Sequence, residues 1–149
     1  DSDSPTLPTA WLARAARALT APGDRVVLGP AADGGYYLIG LKQAHRHLFT
    51  DVAWSTARVL EQTMQRAAEI SLEVELLPTW YDVDDAASLA ELCEEFWPDN
   101  TQGELPDSIG YDAPHTRRYI EQIIAAEGHE RIWPNRLIRP MREEFTTHA

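Results

Sequence analysis

The sequence predicts an α/β fold in which helices flank a mixed β-sheet. Two observations support this prediction: some segments carry apolar residues at helical spacing, and others are short apolar runs typical of strands. The segments follow one another as helix, strand, strand, helix, strand, helix, an order typical of layered α/β domains. A chain of 149 residues has the length of one domain.

The first helix and the first two strands are predicted before residue 42. Pro8 suits the first turn of a helix, and apolar residues spaced four apart then give that helix one inward face. The inward residues are Trp11, Leu12, Ala15, Ala16 and Leu19. The turn residues at 21–24 end this helix, and the apolar runs at 25–29 and 36–41 are the predicted strands.

Two further helices follow, with one strand between them. Ser55 or Thr56 is expected to cap the first of these helices, and Asp84 or Asp85 the second. Their inward faces comprise Val59, Leu60, Thr63, Met64 and Ala67 in one helix, and Leu89, Leu92, Cys93 and Phe96 in the other. The strand between them is LEVELLP, residues 72–78.

The composition changes after Phe96, which suggests a boundary. Residues 97–112 are rich in Pro, Gly, Asn and Asp and lack any period, as expected of a linker or loop. A last helix starts at Pro114 and stops at Gly128. We therefore predict three parts: an α/β region 1–96, a linker or loop 97–112, and a C-terminal helix and tail 113–149.

Charge and cysteine content exclude several classes of protein. The chain has 24 acidic and 13 basic side chains, a net charge of −11, which repels nucleic acid phosphates and anionic lipids. We expect neither a nucleic acid partner nor a membrane partner. A single cysteine, Cys93, excludes an internal disulfide and a cysteine-built zinc site, so the cytoplasm is the expected compartment.

The opening stretch DSDSPTLP places Asp1 and Asp3 one residue apart. In an extended segment both carboxylates point to the same side, and hard cations such as Mg²⁺ or Mn²⁺ choose oxygen ligands of this kind. A second interpretation stays open, in which Asp1 is solvated and Asp3 or Ser4 caps the first helix.

The stretch GPAADGGYYLIG, residues 29–40, combines a hairpin signal with features of a binding site. Adjacent glycines, Gly34 and Gly35, permit positive φ and close approach of a ligand, and Asp-Gly is by itself a hairpin signal. The two interpretations are compatible, because the glycines can form the turn while Asp33 faces a site. We expect that a side chain at Gly35 would disrupt the backbone conformation or the close approach to the site. Tyr36 is expected to offer a ring and a hydroxyl.

The stretch YDVDD, residues 81–85, follows a predicted strand and precedes a predicted helix. This puts Asp82 and Asp84 at the carboxyl end of a strand, where open α/β sheets hold their ligands. Capping of the helix by Asp84 or Asp85 is the alternative, although one aspartate is enough for a cap.

Four stretches in order, DSDSPTLP, VVLGPAADGGYYLIGL, WSTARVLEQT and LLPTWYDVDDAASL, resemble the second half of the DUF2064 family. These bacterial glycosyltransferase-like proteins are related to the nucleotide-diphospho-sugar transferases, whose GT-A fold is Rossmann-like. The resemblance covers residues 1 to about 96. It implies a chain that corresponds to the C-terminal half of a GT-A domain.

The resemblance implies a metal-dependent glycosyltransferase that uses a nucleotide-sugar donor and a small-molecule acceptor. It places Mg²⁺ or Mn²⁺ at Asp3 and Asp84. We expect Asp1 and Asp82 as helpers, and Asp33 as the acceptor-binding residue or general base. The expected substrate-binding residues are Gly34, Gly35, Tyr36, Trp54 and Ser55. For Trp54 and Ser55 the alternative is a tryptophan packed in front of a helix cap.

Two other functions stay open at this point. One is nucleotidyl transfer to a phosphorylated small molecule, and the other is a non-catalytic module that binds a partner chain through its C-terminal helix and tail. The resemblance also implies about a hundred further residues before DSDSP, including a loop that grips the nucleotide. We therefore expect either a missing N-terminal half or a homo-oligomer formed through an exposed sheet edge.

Overall fold

The computed structural model describes residues 3–98 and 110–133, and it confirms the predicted α/β class with a mixed sheet. The elements in chain order are α1 (Thr9–Thr20), β1 (Arg25–Pro30), β2 (Tyr36–Leu41), a 3₁₀ helix (Arg46–Phe49), α2 (Val59–Glu69), β3 (Glu73–Leu76), α3 (Ala86–Phe96), α4 (Pro114–Glu127) and a second 3₁₀ helix (His129–Arg131). Within these described ranges, no helix combines the length and the apolar character needed to cross a membrane.

Strand β1 lies at the centre of the sheet, whose strand order is β2-β1-β3. It pairs antiparallel with β2 across the DGG turn and parallel with β3, which the chain reaches through the crossover helix α2. Val26, Val27 and Leu28 are completely buried because both edges of β1 are paired and both of its faces are covered.

Helices cover both faces of the sheet, and the alternation of side chains along β1 decides which helix each residue meets. One face forms a cluster of Val26, Leu28, Leu48, Ala67 and Leu72, to which α2 contributes. The opposite face joins Ala15 of α1 to Val27 and Leu77. The predicted inward face of α2 is confirmed, since Val59, Thr63 and Ala67 are buried.

Helix α1 buries a narrower face than predicted. Ala15 is buried and Trp11 and Leu19 are half-buried, but Leu12 and Ala16 are exposed. The prediction was wrong for these last two because α1 meets the sheet along one line of residues, with solvent on either side of it.

A third cluster joins α3 to α4 and to the 3₁₀ helix after it. Its buried members are Leu92, Cys93, Phe96, Ala113, Ile120, Ile132 and Trp133. The predicted bounds of α4 are confirmed: it begins at Pro114, and Gly128 follows its last residue with a φ of +83°. The predicted division into three parts stays a prediction, and residues 99–109 and 134–149 of its linker and tail lie outside the described residues.

Strand β3 covers Glu73–Leu76 and is shorter than the predicted strand 72–78. The chain nevertheless returns to the end of β1. The N–H of Trp80 donates to the carbonyl of Pro30 at 3.0 Å, and the N–H of Ala32 donates to the carbonyl of Trp80 at 2.9 Å. This resumed pairing carries the YDVDD stretch to the end of β1.

The predicted cap of α2 is wrong for Ser55, and Thr56 caps only the turn before the helix, where its hydroxyl accepts from the N–H of Arg58 at 3.3 Å. The helix begins at Val59, and the residue before it, Arg58, contributes no side-chain cap. Ser55 has a φ of +59°, in the left-handed region, whereas a capping residue usually adopts an extended conformation. The chain therefore makes an additional turn before the helix starts.

The cap of α3 is Asp85, one of the two predicted candidates. Its Oδ1 accepts from the N–H groups of Ala87 and Ser88 at 2.9 and 2.8 Å, and the Ser88 hydroxyl accepts from the N–H of Asp85 in return. The carboxylate of Asp84 is consequently not needed for capping.

A buried polar network fixes the segment that precedes α1. The side chain of Thr6, only 1% exposed, donates to Glu95 Oε2 at 2.9 Å, and the Tyr81 hydroxyl donates to the same oxygen at 2.5 Å. The carbonyl of Thr6 also accepts from the N–H of Tyr111 at 2.8 Å. These bonds attach the first described residues to α3 and to the YDVDD stretch.

The DGG turn packs directly against the loop that leads into α2. Gly34 has a φ of +92°, and a Cβ at this position would lie 2.2 Å from the carbonyl oxygen of Ala57. Its own carbonyl accepts from the N–H of Leu60 at 3.0 Å. At Gly35, by contrast, φ is not positive, and a Cβ added there would lie 3.1 Å from its nearest neighbouring atom, Asp33 Oδ1. The predicted requirement for glycine therefore falls on Gly34 rather than on Gly35.

We predict that Thr6→Val lowers the free energy of unfolding by about 2 kcal/mol, because it keeps the side-chain shape but leaves the Glu95 carboxylate without one of its donors. Urea denaturation measures the change. Thr79→Val, at an exposed threonine, is the control and should change stability by less than about 0.5 kcal/mol. An unchanged denaturation midpoint for Thr6→Val would contradict the role of the network.

We predict that Gly34→Ala destabilises the fold by about 2 kcal/mol or more, because an L-residue is strained at this φ and its methyl group would collide with the backbone of Ala57. Thermal unfolding followed by circular dichroism measures the loss. Gly35→Ala serves as the neighbouring control, with an expected loss below about 1 kcal/mol. Equal losses in the two variants would show that Gly34 has no special requirement.

Candidate functional site

The three acidic stretches meet at the carboxyl end of β1. The DGG turn follows β1 directly, and the resumed pairing at Trp80 brings the YDVDD stretch beside it. The N–H of Val83 donates to the carbonyl of Asp3 at 2.8 Å, which places the first described residues along the other side of YDVDD. Residues distant in the sequence thus reach one end of the sheet, where open α/β folds bind ligands.

These stretches and the loop before α2 line one cavity of about 540 Å³. Its lining comprises four carboxylates, three aromatic rings, two hydroxyls and small or apolar groups: Asp3, Asp33, Asp82, Asp84, Tyr36, Tyr37, Trp54, Ser55, Thr56, Gly35, Ala57 and Val59. The site residues predicted from the sequence that lie in the described ranges line this cavity, apart from Gly34, which supports the turn. Asp1 lies outside the described residues.

Three of the carboxylates form a compact group that we call the aspartate trio: Asp33, Asp82 and Asp84. One carboxylate oxygen of each lies within 4.8 Å of the others. Asp82 is half-buried, and the other two are exposed. Oxygen atoms at this separation fit around one hard divalent cation, whose ligands lie 2.0–2.6 Å from it in proteins.

The composition of the trio differs from the expected pair of Asp3 and Asp84. Asp3 lines the same cavity but lies outside the trio, and Asp33 takes its place there. The sequence pointed to a site role for Asp33 through the DGG turn, but it did not show that this turn meets YDVDD.

A serine that sequence reasoning treated only as a possible cap supports the trio. The Ser4 hydroxyl donates to Asp82 Oδ1 at 2.5 Å. The interpretation that Asp3 or Ser4 caps α1 is wrong, because Pro8 occupies the position before that helix and no side chain caps it. Ser4 therefore positions Asp82.

Burial raises the pKa of Asp82, and the nearby carboxylates of Asp3, Asp33 and Asp84 raise it further. The hydrogen bond from Ser4 opposes this shift by favouring the charged form. Like charges are thus held close together in a partly desolvated place, and a bound cation would relieve their repulsion.

Local hydrogen bonds orient the other two members of the trio. Asp33 Oδ1 accepts from the N–H of Gly35 at 2.8 Å, a bond within the turn itself. The N–H of Asp84 donates to the hydroxyl of Ser88 at 3.0 Å, in the capping box of α3. Both carboxylates are therefore carried by backbone that turns or caps hold in place.

The wall of the cavity beside the loop before α2 is aromatic and hydroxyl-bearing. Trp54 is 51% exposed and stacks on Phe49, with ring centroids 6.3 Å apart. Tyr37 and Thr56 also line the cavity, although only their neighbours Tyr36 and Ser55 were among the predicted substrate-binding residues. Burial raises the pKa of Tyr37 to about 12, so its hydroxyl stays protonated and donates to the carbonyl of Pro78 at 2.9 Å.

Comparison with known proteins supports the resemblance that the motifs predict. Residues 1–56 match the family DUF2064, described as "Uncharacterized protein conserved in bacteria". Among solved structures, the chain is similar to the crystal structure of a "putative nucleotide-diphospho-sugar transferase" from Desulfovibrio desulfuricans G20. The two are 28% identical with a TM-score of 0.59, over 84% of this chain and 51% of that chain. No curated protein matches the chain.

The predicted resemblance to DUF2064 is therefore confirmed over residues 1–56, and the predicted resemblance to the nucleotide-diphospho-sugar transferases is confirmed by the solved relative. The chain spans about half the length of the solved relative, and the described mixed sheet and helices are similar to that half. This chain therefore resembles the DUF2064 family over residues 1–56, and its fold resembles about half of a "putative nucleotide-diphospho-sugar transferase".

Proposed function

We propose that this chain forms the metal-binding and acceptor-facing part of a glycosyltransferase that uses a nucleotide-sugar donor. The observation that carries the proposal is the aspartate trio, whose oxygens lie within 4.8 Å of one another in a cavity at the carboxyl end of β1. The similarity to a nucleotide-diphospho-sugar transferase supplies the class of donor.

The trio fits Mg²⁺ or Mn²⁺, because both prefer carboxylate oxygens and each trio member offers one. A divalent cation bound there would neutralise the charge of the donor diphosphate and stabilise it as a leaving group. The role of this chain is to hold the carboxylates in position: the Ser4 hydroxyl donates to Asp82, and the Gly35 N–H donates to Asp33.

The position of Asp33 favours a ligand role over the role of general base that the sequence suggested. Its carboxylate belongs to the trio, whereas Asp3 lines the cavity outside it. An acceptor hydroxyl that enters the cavity would face the carboxylates on one side and the aromatic wall on the other. The trio thus orients the donor, and the remaining lining residues orient the acceptor.

We predict that Mg²⁺ or Mn²⁺ raises the melting temperature of this chain, because binding to the folded state alone contributes about 2.7 kcal/mol at a free metal concentration of 100 times Kd. Asp33→Asn, Asp82→Asn and Asp84→Asn should each remove most of this shift. Asp112→Asn, at an exposed aspartate outside the cavity, is the control and should keep it. A full metal response in all three trio variants would rule out the site.

The same variants test the repulsion within the trio. Because the pKa of Asp82 is raised on folding, stability falls as the pH rises from the unfolded pKa of this group to its folded pKa. Asp82→Asn removes that loss and keeps an oxygen that accepts from Ser4. Its metal-free melting temperature at pH 7 should equal or exceed that of the wild type, and a large decrease would mean that the carboxylates do not repel.

We predict that the full-length protein turns over a nucleoside-diphosphate sugar only when Mg²⁺ or Mn²⁺ is present. A screen of UDP-, GDP-, ADP- and dTDP-sugars for release of the nucleoside diphosphate identifies the donor. Asp82→Asn should lower kcat/KM by about 100-fold or more, because it weakens the ion that stabilises the leaving group. Turnover that survives a chelator would contradict the proposed function.

A further inference from the structure

We propose that Trp54 is the platform on which a neutral, hydroxyl-bearing ring of the acceptor stacks, an inference that rests on the proposed function and names its acceptor class. The acceptor would place one ring face on the indole and a hydroxyl toward the aspartate trio. Trp54 would then be a specificity-determining residue of the transfer reaction.

The first support is the exposure of the indole. Trp54 is 51% exposed on the wall of the cavity, and its ring is backed by Phe49, which is itself 39% exposed. The two ring planes are inclined by only 16°, so the indole and the Phe49 ring form a stacked pair, of which Trp54 lines the cavity. Tryptophan is on average a highly buried side chain, and a rigid, exposed aromatic surface beside a polar cavity is typical of a binding site.

The second support is the way in which the loop 50–58 is held. Asp51 and Ser55, on either side of Trp54, have φ values of +53° and +59°, which are uncommon for residues other than glycine. Both backbone polar groups of Ala53 are hydrogen-bonded: its N–H donates to Gln62 Oε1 at 2.7 Å, and its carbonyl accepts from the Thr56 hydroxyl at 2.7 Å. Unusual conformations that the surrounding structure enforces concentrate at binding sites.

The third support is the charge of the cavity, which selects the acceptor. Four aspartates line it, and among its described lining residues none is Lys or Arg. A single divalent cation neutralises only two of four carboxylates, and the donor diphosphate adds further negative charge. Within the lining that this chain supplies, a phosphorylated acceptor would therefore meet more repulsion than a neutral one.

The chemistry of the indole face agrees with this selection. The face of an aromatic ring is electron-rich and attracts groups with a partial positive charge, such as the C–H bonds on one face of a saturated hydroxylated ring. Ser55 also lines the cavity, and its hydroxyl can exchange hydrogen bonds with ring hydroxyls. A cationic acceptor is also compatible with the negative charge of the cavity, so the experiment compares a neutral ring with a cationic one.

The test uses this chain with Mg²⁺ and three probes that share a pyranose ring: methyl glucoside, glucose 6-phosphate and methyl glucosaminide with a protonated amine. Saturation-transfer NMR measures binding of each probe, and methyl galactoside and myo-inositol extend the neutral set. We expect the neutral rings to bind best. Trp54→Leu should weaken that binding about three- to tenfold, since it removes the aromatic face, and Trp54→Phe should retain most of it.

The matched control is Tyr111→Leu, an aromatic of similar exposure (48%) that does not line the cavity, and it should leave binding unchanged. The proposal is overturned if no neutral ring binds in a Trp54-dependent way, or if the phosphate or the amine binds better. The metal-induced rise in melting temperature should persist in Trp54→Leu. A failure of the Trp54 proposal with that metal response intact leaves the proposed function standing, whereas loss of the response in the wild type contradicts the proposed function itself.

Discussion

The resumed pairing between the end of β1 and Trp80 is the interaction on which the site depends. Central strand β1 is paired on both edges, and after β3 ends at Leu76 the backbone of Trp80 binds that of Pro30 and Ala32. Main-chain hydrogen bonds to a fully buried strand allow little variation in register. They therefore set the position of YDVDD relative to the DGG turn, and with it the distances between the carboxylates of the two stretches.

The aspartate trio is held together against electrostatic repulsion. Burial and neighbouring carboxylates both disfavour the charged form of Asp82, yet Ser4, the DGG turn and the capping box keep the three side chains in one place. An arrangement that opposes the stability of the metal-free chain suggests a functional reason for its existence. The proposed cation supplies that reason, because it converts repulsion between carboxylates into shared coordination.

Different parts of the fold carry the carboxylates and the aromatic rings that line the cavity. The trio follows β1 and β3, whereas Trp54 lies in the loop before α2 and Tyr36 and Tyr37 lie in β2. The contact of Gly34 with Ala57 joins the DGG turn to the loop before α2, since a side chain at position 34 would keep the two apart. A close backbone contact thus holds the turn that carries Asp33 against the loop that carries Trp54.

The sequence by itself determined the order of the α-helices and strands and the acidic stretches, because hydrophobic periodicity, prolines and turn residues are local signals. It did not determine the start of α2, the ends of β3 or the two 3₁₀ helices. It also indicated that one aspartate of YDVDD suffices for a cap, with Asp84 and Asp85 as candidates, and the structure selects Asp85. Only the tertiary structure decided that Asp33 rather than Asp3 joins Asp82 and Asp84, because that grouping follows from strand pairing between distant segments. The left-handed conformation of Ser55, which replaces the predicted cap and accompanies the exposure of Trp54, is likewise imposed by the packing of the loop and has no signal in the residue itself.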